Sequence, residues 1–440
     1  MKNNDIVSNT YPATPQDRMN YLLNLFSADQ QIAIILAFPE RLNIRVLKQA
    51  IETTLRLVPI LNCRFVEAEI PYWESLENSI DTIFSWAECM DHDIEETVNE
   101  YIVESGDRIN GPMLQAKLVR AQKDDVLCVK ISHLCSDGTG LKEYIALLAS
   151  AYNSLDKTND FDITASEILK DYKPGFRDQS QLFAAAGIKD IKSAYRQDAG
   201  GASLWGVPSN PNANDKPRLS IKRLKCIQFN HLICRAKEYG ATVNDTLIAA
   251  YFRALQKHAV NIESRTIDKA IGITVDLRRY LPNRTTGMIC NLSGMEMPVI
   301  ELQCDELFEA TLKKVKNVMN VIKRNQPGLS SAAGMELLAE RPLSALKEFY
   351  RQQHDIAIKM KMALPLLTNF GNIAEGKIQF GDIEAYDGFM VAPIMYAPFF
   401  CTGVSTYNGV LTLTAGFHTP AVSEGAVDQL LDTMIRELDF

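Results

Sequence analysis

The chain has 440 residues, 46% hydrophobic and 23% charged, a globular make-up too long for one ordinary core, so two domains are expected. The 46 Lys and Arg against 54 Asp and Glu leave a net charge of −8, which excludes nucleic acid as the main partner, because phosphate binding needs a basic face. Apolar runs such as 32–38 are far too short to span a membrane, and the polar first ten residues lack the apolar core of a secretory signal.

The first element predicted is a helix opened by Thr14-Pro15-Gln16-Asp17, with Thr14 as its cap, Pro15 at its first position and Met19, Leu22, Leu23 and Phe26 on one face. A strand over 31–38 follows, then an amphipathic helix over 43–57 that Pro59 stops, then a strand over 60–66. The stretch 91–107 is strongly acidic. It reads as the solvated face of a helix with acids favoured in its first turn, in preference to a cation site. Residues 113–121 and 126–131 read as a hairpin joined by Gln122-Lys123-Asp124-Asp125.

The second hairpin strand delivers the stretch around which the chain is organised. An apolar run over 126–131 leads into Ser132-His133-Leu134-Cys135-Ser136-Asp137-Gly138, and Leu141, Tyr144, Ile145 and Leu148 then recur at helical spacing. His133 is the only histidine followed by Asp at i+4 and Gly at i+5. A histidine can accept a proton at neutral pH, which suits a general base, and Asp137 could lie back across the loop to fix its geometry. The plainer reading is a surface-loop histidine beside a helix-capping aspartate. Cys135 alternates away from His133 in an extended segment and reads as a small filler residue rather than a nucleophile. Ser136 lacks the flanking glycines of a nucleophile elbow.

Residues 156–217 are less regular. Gly200-Gly201-Ala202-Ser203 and the Pro/Asn-rich run 207–217 read as a linker, which divides the chain into domains 1–205 and 206–440. The second half restarts with a strand over 218–229, a helix over 230–239 closed by Gly240, and a longer helix from Ala241-Thr242-Val243-Asn244-Asp245 to about His258. A strand over 270–275 ends in Asp276-Leu277-Arg278-Arg279, where an arginine could reach the first domain as a clamp. The segment 301–366 is mainly helical, Thr368-Asn369-Phe370-Gly371-Asn372 starts a group of strands, Asn408-Gly409 marks a hairpin turn, and 423–438 is a closing helix. Helices and strands mix in both halves, so each half is expected to be a mixed sheet covered by helices, an α/β (α+β) fold.

Other chemistries are poorly served. The six histidines are far apart with no H-x-x-x-H, so no metal site is expected, and no glycine-rich phosphate loop occurs. Nine cysteines without a C-x-x-C pair fit reduced thiols, hence a cytoplasmic protein. Asn244, Asn283 and Asn291 match the glycosylation tripeptide, a match of little meaning without a secretory signal.

The ordered set Tyr11-Pro12-x-x-Pro15-Gln16, Gly111-Pro112-Met113-Leu114, His133-x-x-x-Asp137-Gly138, Ala241-Thr242-Val243-Asn244-Asp245, Val275-Asp276-Leu277-Arg278 and Asn369-Phe370-Gly371 resembles the chloramphenicol acetyltransferase-like superfamily of coenzyme A-dependent acyltransferases. That group includes peptide-synthetase condensation domains, wax ester synthases, and polyketide-associated and alcohol acyltransferases. The resemblance implies two similar domains with a tunnel between them. It implies His133 as the base that deprotonates an acceptor alcohol or amine for direct attack on an acyl thioester, with no covalent enzyme intermediate. It further implies Asp137 as a structural partner of Arg278, Gly138 as room for substrate, and Asn369 and Gly371 on a strand near the tunnel.

The donor implied is acyl-coenzyme A, or an acyl group on a carrier protein in trans, with no permanently bound cofactor. Condensation domains usually carry two consecutive histidines, and here the first position is Ser132, which points towards the stand-alone acyltransferases. The Phe-Gly-Trp-Gly signature of the plant enzymes is absent. A free-standing condensation enzyme and a catalytically silent binding protein of the same fold are the alternatives.

Overall fold

The computed structural model describes residues 10–106, 110–158, 175–196, 205–259, 266–303 and 305–440. Two mixed sheets carry it. The first runs in the order Asp387–Val391, Gln31–Phe38, Asp125–Ser132, Leu114–Arg120 and Phe84–Glu88, antiparallel except for the last pair. Gln31–Phe38 reads as an unbroken apolar run because both of its faces are covered. Ile32, Ile34 and Leu36 pack with Leu47 and Ile51 of helix Ile44–Leu57 and with Leu141, Tyr144 and Leu148 of helix Gly138–Thr158. Ala33, Ile35 and Ala37 meet Val98 and Ile102 of helix Ile94–Val103 on the other face. That helix is the acidic stretch. Val98, Tyr101 and Ile102 are buried while Glu95 and Glu96 lie in its first turn; Asp107 is outside the described residues.

The second sheet runs Ser293–Glu296, Gly272–Asp276, Leu366–Asn372, Cys401–Tyr407, Val410–Pro420 and Asn214–Leu224. Gly272–Asp276 and Leu366–Asn372 pair in parallel, as do Leu366–Asn372 and Cys401–Tyr407, and the remaining pairs are antiparallel. Helices Val243–His258, Phe308–Arg324 and Glu424–Glu437 close over it through Leu247, Tyr251, Leu312, Val315, Leu430 and Met434. The sheets are linked by chain as well as by packing: Asp387–Val391, from the C-terminal part, is the edge strand of the first sheet, and Met390 N donates to Ser405 Oγ at 3.0 Å. Among the described residues, no helix is long and apolar enough to cross a membrane.

Several boundaries differ from the sequence reading. The strand expected over 60–66 starts only at Cys63, because Pro59–Asn62 forms a 3₁₀ turn. The strand expected over 218–229 ends at Leu224, and helix Cys226–Glu238 begins at once. Gln228 Oε1 accepts from Lys225 N at 3.1 Å and opens that helix. Part of the supposed linker is strand, since Asn214–Leu224 includes Pro217, which an edge strand tolerates. The Gly200–Ser203 part lies outside the described residues. Segment 301–366 begins as the strand Val299–Gln303 before its three helices. At Asn408-Gly409 φ is 47° and 75°, the left-handed pair a two-residue hairpin requires.

Candidate active site

The strand Asp125–Ser132 ends where His133 N donates to Gln30 O at 2.6 Å, and the chain then turns through Leu134 and Cys135. Asp137 starts helix Gly138–Thr158: its carbonyl accepts from Leu141 N at 3.0 Å and its Oδ1 from Gly140 N at 2.8 Å. Its Oδ2 accepts from Arg278 Nη1 at 2.8 Å and from Leu292 N at 2.7 Å. Both sequence readings of Asp137, helix cap and arginine partner, therefore apply to one carboxylate. Burial alone would raise this carboxyl, but the Arg278 charge and the three hydrogen bonds overcome it and hold the carboxyl below its ordinary value. Burial also works against the Arg278 charge, and Asp137 outweighs that and keeps the guanidinium well above its usual range.

Arg278 lies in the short turn after strand Gly272–Asp276 and is fully buried. Besides Asp137 it donates from Nη2 to Cys290 O at 3.0 Å, and Asp137 N donates to the same carbonyl at 3.3 Å. Between Cys290 and Leu292 sits Asn291, 1% exposed. Its Oδ1 is 3.0 Å from His133 Nδ1, and its Nδ2 donates to His133 O at 2.9 Å and Leu134 O at 3.0 Å. Among the described residues no side-chain hydrogen bond or ion pair joins His133 to Asp137; a side chain from the second sheet's side holds the ring. His133 Nε2 has no hydrogen-bond partner among the described residues.

A second arginine, partly buried and missed by the sequence reading, grips the loop from the other end. Arg177 binds Asp17 through both amino groups, at 3.2 and 3.1 Å, and Nη2 also reaches Cys135 O at 3.1 Å. Asp17 belongs to the capping box of helix Pro15–Phe26. Its neighbour Gln16 accepts from Ser293 N at 3.2 Å, so the opening Pro15-Gln16 motif fastens the 290–293 segment too. Cys135 is fully buried, and burial pushes its thiol well up, away from thiolate chemistry.

Asn369 and Gly371 flank an irregularity in the pairing of Leu366–Asn372 with Cys401–Tyr407. Asn369 Oδ1 accepts from Gly371 N at 2.9 Å, its Nδ2 donates to Asn244 Oδ1 at 3.0 Å, and Gly371 adopts φ 68°. They border an open cleft of about 600 Å³. The bulge turns Phe370 onto the His133 loop. A Cβ on Gly138 would lie 2.5 Å from Phe370 Cδ1, so that ring takes the space a side chain at 138 would need. Lys142 Nζ donates to Phe370 O at 2.8 Å and secures the contact.

The condensation-domain profile matches residues 7–327. The chain belongs to the condensation-domain family. Membership makes it an acyl-transferring enzyme. Solved structures of the same two-lobed fold include the TRI3 trichothecene 15-O-acetyltransferase from Fusarium sporotrichioides, 12% identical over 98% of this chain and 95% of that one, with a TM-score of 0.69. Polyketide synthase associated protein 5 from Mycobacterium tuberculosis is 13% identical over 97% of each chain, at 0.63. The first condensation domain of the CDA synthetase is 16% identical over 98% of this chain and 95% of that one, at 0.67. No curated protein sequence matches the chain. At these identities the structural likenesses establish the fold, and the arrangement of this chain's own residues carries the chemistry.

Proposed function

We propose that this enzyme moves an acyl group from acyl-coenzyme A to an alcohol or amine, with His133 as general base. The observation that carries the reading is the setting of His133. It stands at the seam of the two lobes, half-buried, with Nδ1 held by Asn291 and Nε2 left for substrate. In the proposed step Nε2 takes the proton of the acceptor hydroxyl or amine as its oxygen or nitrogen bonds to the thioester carbon. The tetrahedral adduct then breaks its C–S bond, and the imidazolium returns the proton to the departing thiolate. No enzyme nucleophile takes part, consistent with the buried Cys135. Asp137 and Arg278 are structural, and the donor and acceptor reach His133 from opposite faces of a tunnel between the lobes.

The trichothecene neighbour is by name an O-acetyltransferase, and Ser132 replaces the first of the two histidines usual in condensation domains; both favour a stand-alone enzyme with a coenzyme A donor. The condensation-domain match favours a second reading, an acyl group delivered on a carrier protein in trans. The described cysteines are all free, which supports a reducing cytoplasmic setting.

The test offers the purified protein a panel of acyl-coenzyme A thioesters with mixed alcohols and amines and follows thiol release. Release that disappears in folded His133→Ala supports the main reading. Transfer only from an acylated carrier protein moves the donor to the second. Turnover with neither donor, or undiminished turnover in His133→Ala, overturns the proposal.

A further inference from the structure

We infer that Asn291 is a positioning residue that fixes His133 as the Nδ1–H tautomer and so reserves the Nε2 lone pair for the reaction. The inference rests on the reading of His133 as base and says how that base is made.

The argument is one of donors and acceptors. The Asn291 nitrogen faces two backbone carbonyls, His133 O at 2.9 Å and Leu134 O at 3.0 Å. Carbonyl oxygens only accept, so this end of the amide must be the NH₂ group. Turning the amide over would set its oxygen against both carbonyls in a site where Asn291 is 1% exposed. The other end is therefore the oxygen, and it faces His133 Nδ1 at 3.0 Å. An oxygen there needs a proton on Nδ1. In neutral imidazole the proton then cannot sit on Nε2, which keeps its lone pair.

The surrounding network keeps Asn291 in place. Leu292 N binds Asp137, and Cys290 O takes both Arg278 Nη2 and Asp137 N, so the residues on either side of Asn291 are fastened to the buried ion pair. Ser293 N is fastened to Gln16. The Asp137–Arg278 pair thus acts on His133 through Asn291. The partner is a neutral amide, so the imidazolium formed during turnover gains no carboxylate to trap it, and the proton stays available for the leaving thiolate.

The experiment is nitrogen-15 NMR of protein labelled in histidine, with the His133 signals identified by their loss in His133→Gln. The native protein is expected to show His133 with protonated Nδ1 and bare Nε2. Asn291→Ala is expected to move it towards the Nε2–H form and to lower kcat by about 10²-fold, within what a positioned base contributes, with KM for the thioester little changed. Asn291→Asp keeps an acceptor on Nδ1 but adds charge, so the acid limb of its kcat/KM profile should move to higher pH; a packing role would not do this. Native His133 in the Nε2–H form overturns the inference, and this measurement needs no variant at position 291. A tautomer unchanged in Asn291→Ala overturns it as well. Undiminished thiol release in His133→Gln would instead overturn the base reading, whatever the tautomer.

Discussion

Replacing Asp137 by alanine strands one of the least accessible charges in the protein. The Arg278 side chain is 0% exposed and that of Asp137 is 7% exposed. After the substitution Arg278 keeps its bond to Cys290 O, and its remaining charged partners among the described residues are Asp276 at 3.4 Å and Glu143 at 3.7 Å. Breaking a buried pair from one side costs about 3–5 kcal/mol, and the two residual acids place this case near the lower end, about 3. Gly140 N and Leu292 N also lose their acceptor, adding about 1 kcal/mol each. The expected loss is about 5 kcal/mol. Unfolding entropy of about 2.1 cal/mol/K per residue over 440 residues is about 0.9 kcal/mol/K, so the thermal midpoint should fall by about 5 °C. Arg278→Met should cost a comparable amount by stranding Asp137. The double variant should cost less than the two singles summed, by at least about 1 kcal/mol, because it leaves no unpaired charge. Thermal and urea unfolding of the four proteins measure the cycle. Single costs below about 1 kcal/mol, or strict additivity, would refute the assignment of this pair as the structural fastening of the loop.

Two further outcomes follow from the same site. Gly138→Ala places a methyl 2.5 Å from the Phe370 ring and should destabilise by about 1–3 kcal/mol, with Phe370→Leu in the same chain recovering part of it in thermal melts; an unchanged midpoint in the single variant would contradict the close packing. Asp137 titrates below its ordinary value in the folded state, so its stabilising contribution is complete above the unfolded pKa near 4 and is lost as pH falls through the folded value. The slope of stability against pH below about pH 4 should therefore be shallower in Asp137→Asn than in the native protein, as urea unfolding across that range would show.

Local elements were largely legible in the sequence because each carries its own signal. The Thr14–Asp17 capping box, the apolar run of Gln31–Phe38 and the Asn408-Gly409 turn state their geometry within a few residues. The errors at Pro59–Asn62 and Leu224–Cys226 fall at boundaries, where apolar residues continue across a change of backbone and periodicity is blind to it. The His133 motif and Arg278 were visible as residue types that chemistry needs. Asn291 and Arg177 were not. Asn291 stands 158 positions from His133 and shows in the sequence only as part of Asn291-Leu292-Ser293, while Arg177 stands 160 from Asp17 within an irregular stretch. Tertiary pairing over such separations leaves no mark on local spacing. A buried-charge count offers no substitute, since arginine is ordinarily a surface residue.

Read as a six-residue motif, His133 to Gly138 suggests a histidine steadied by the aspartate beside it. The distances describe a different division of labour. Asp137 bonds to the helix it caps and to the arginine it pairs with, and the His133 ring bonds to Asn291. The two meet only through the 290–293 segment, which arrives with the second sheet. A charge pair buried beside a base would compete for its proton; a charge pair that holds a neutral amide does not. With His133 as the proposed base, the base is complete only when the lobes are docked, because half of what positions it belongs to each. On that proposal docking and catalytic readiness are one event, and a variant that loosens the seam at Arg278 should lose rate before it loses fold, since misplacing the base by about 1 Å already costs about 10²-fold.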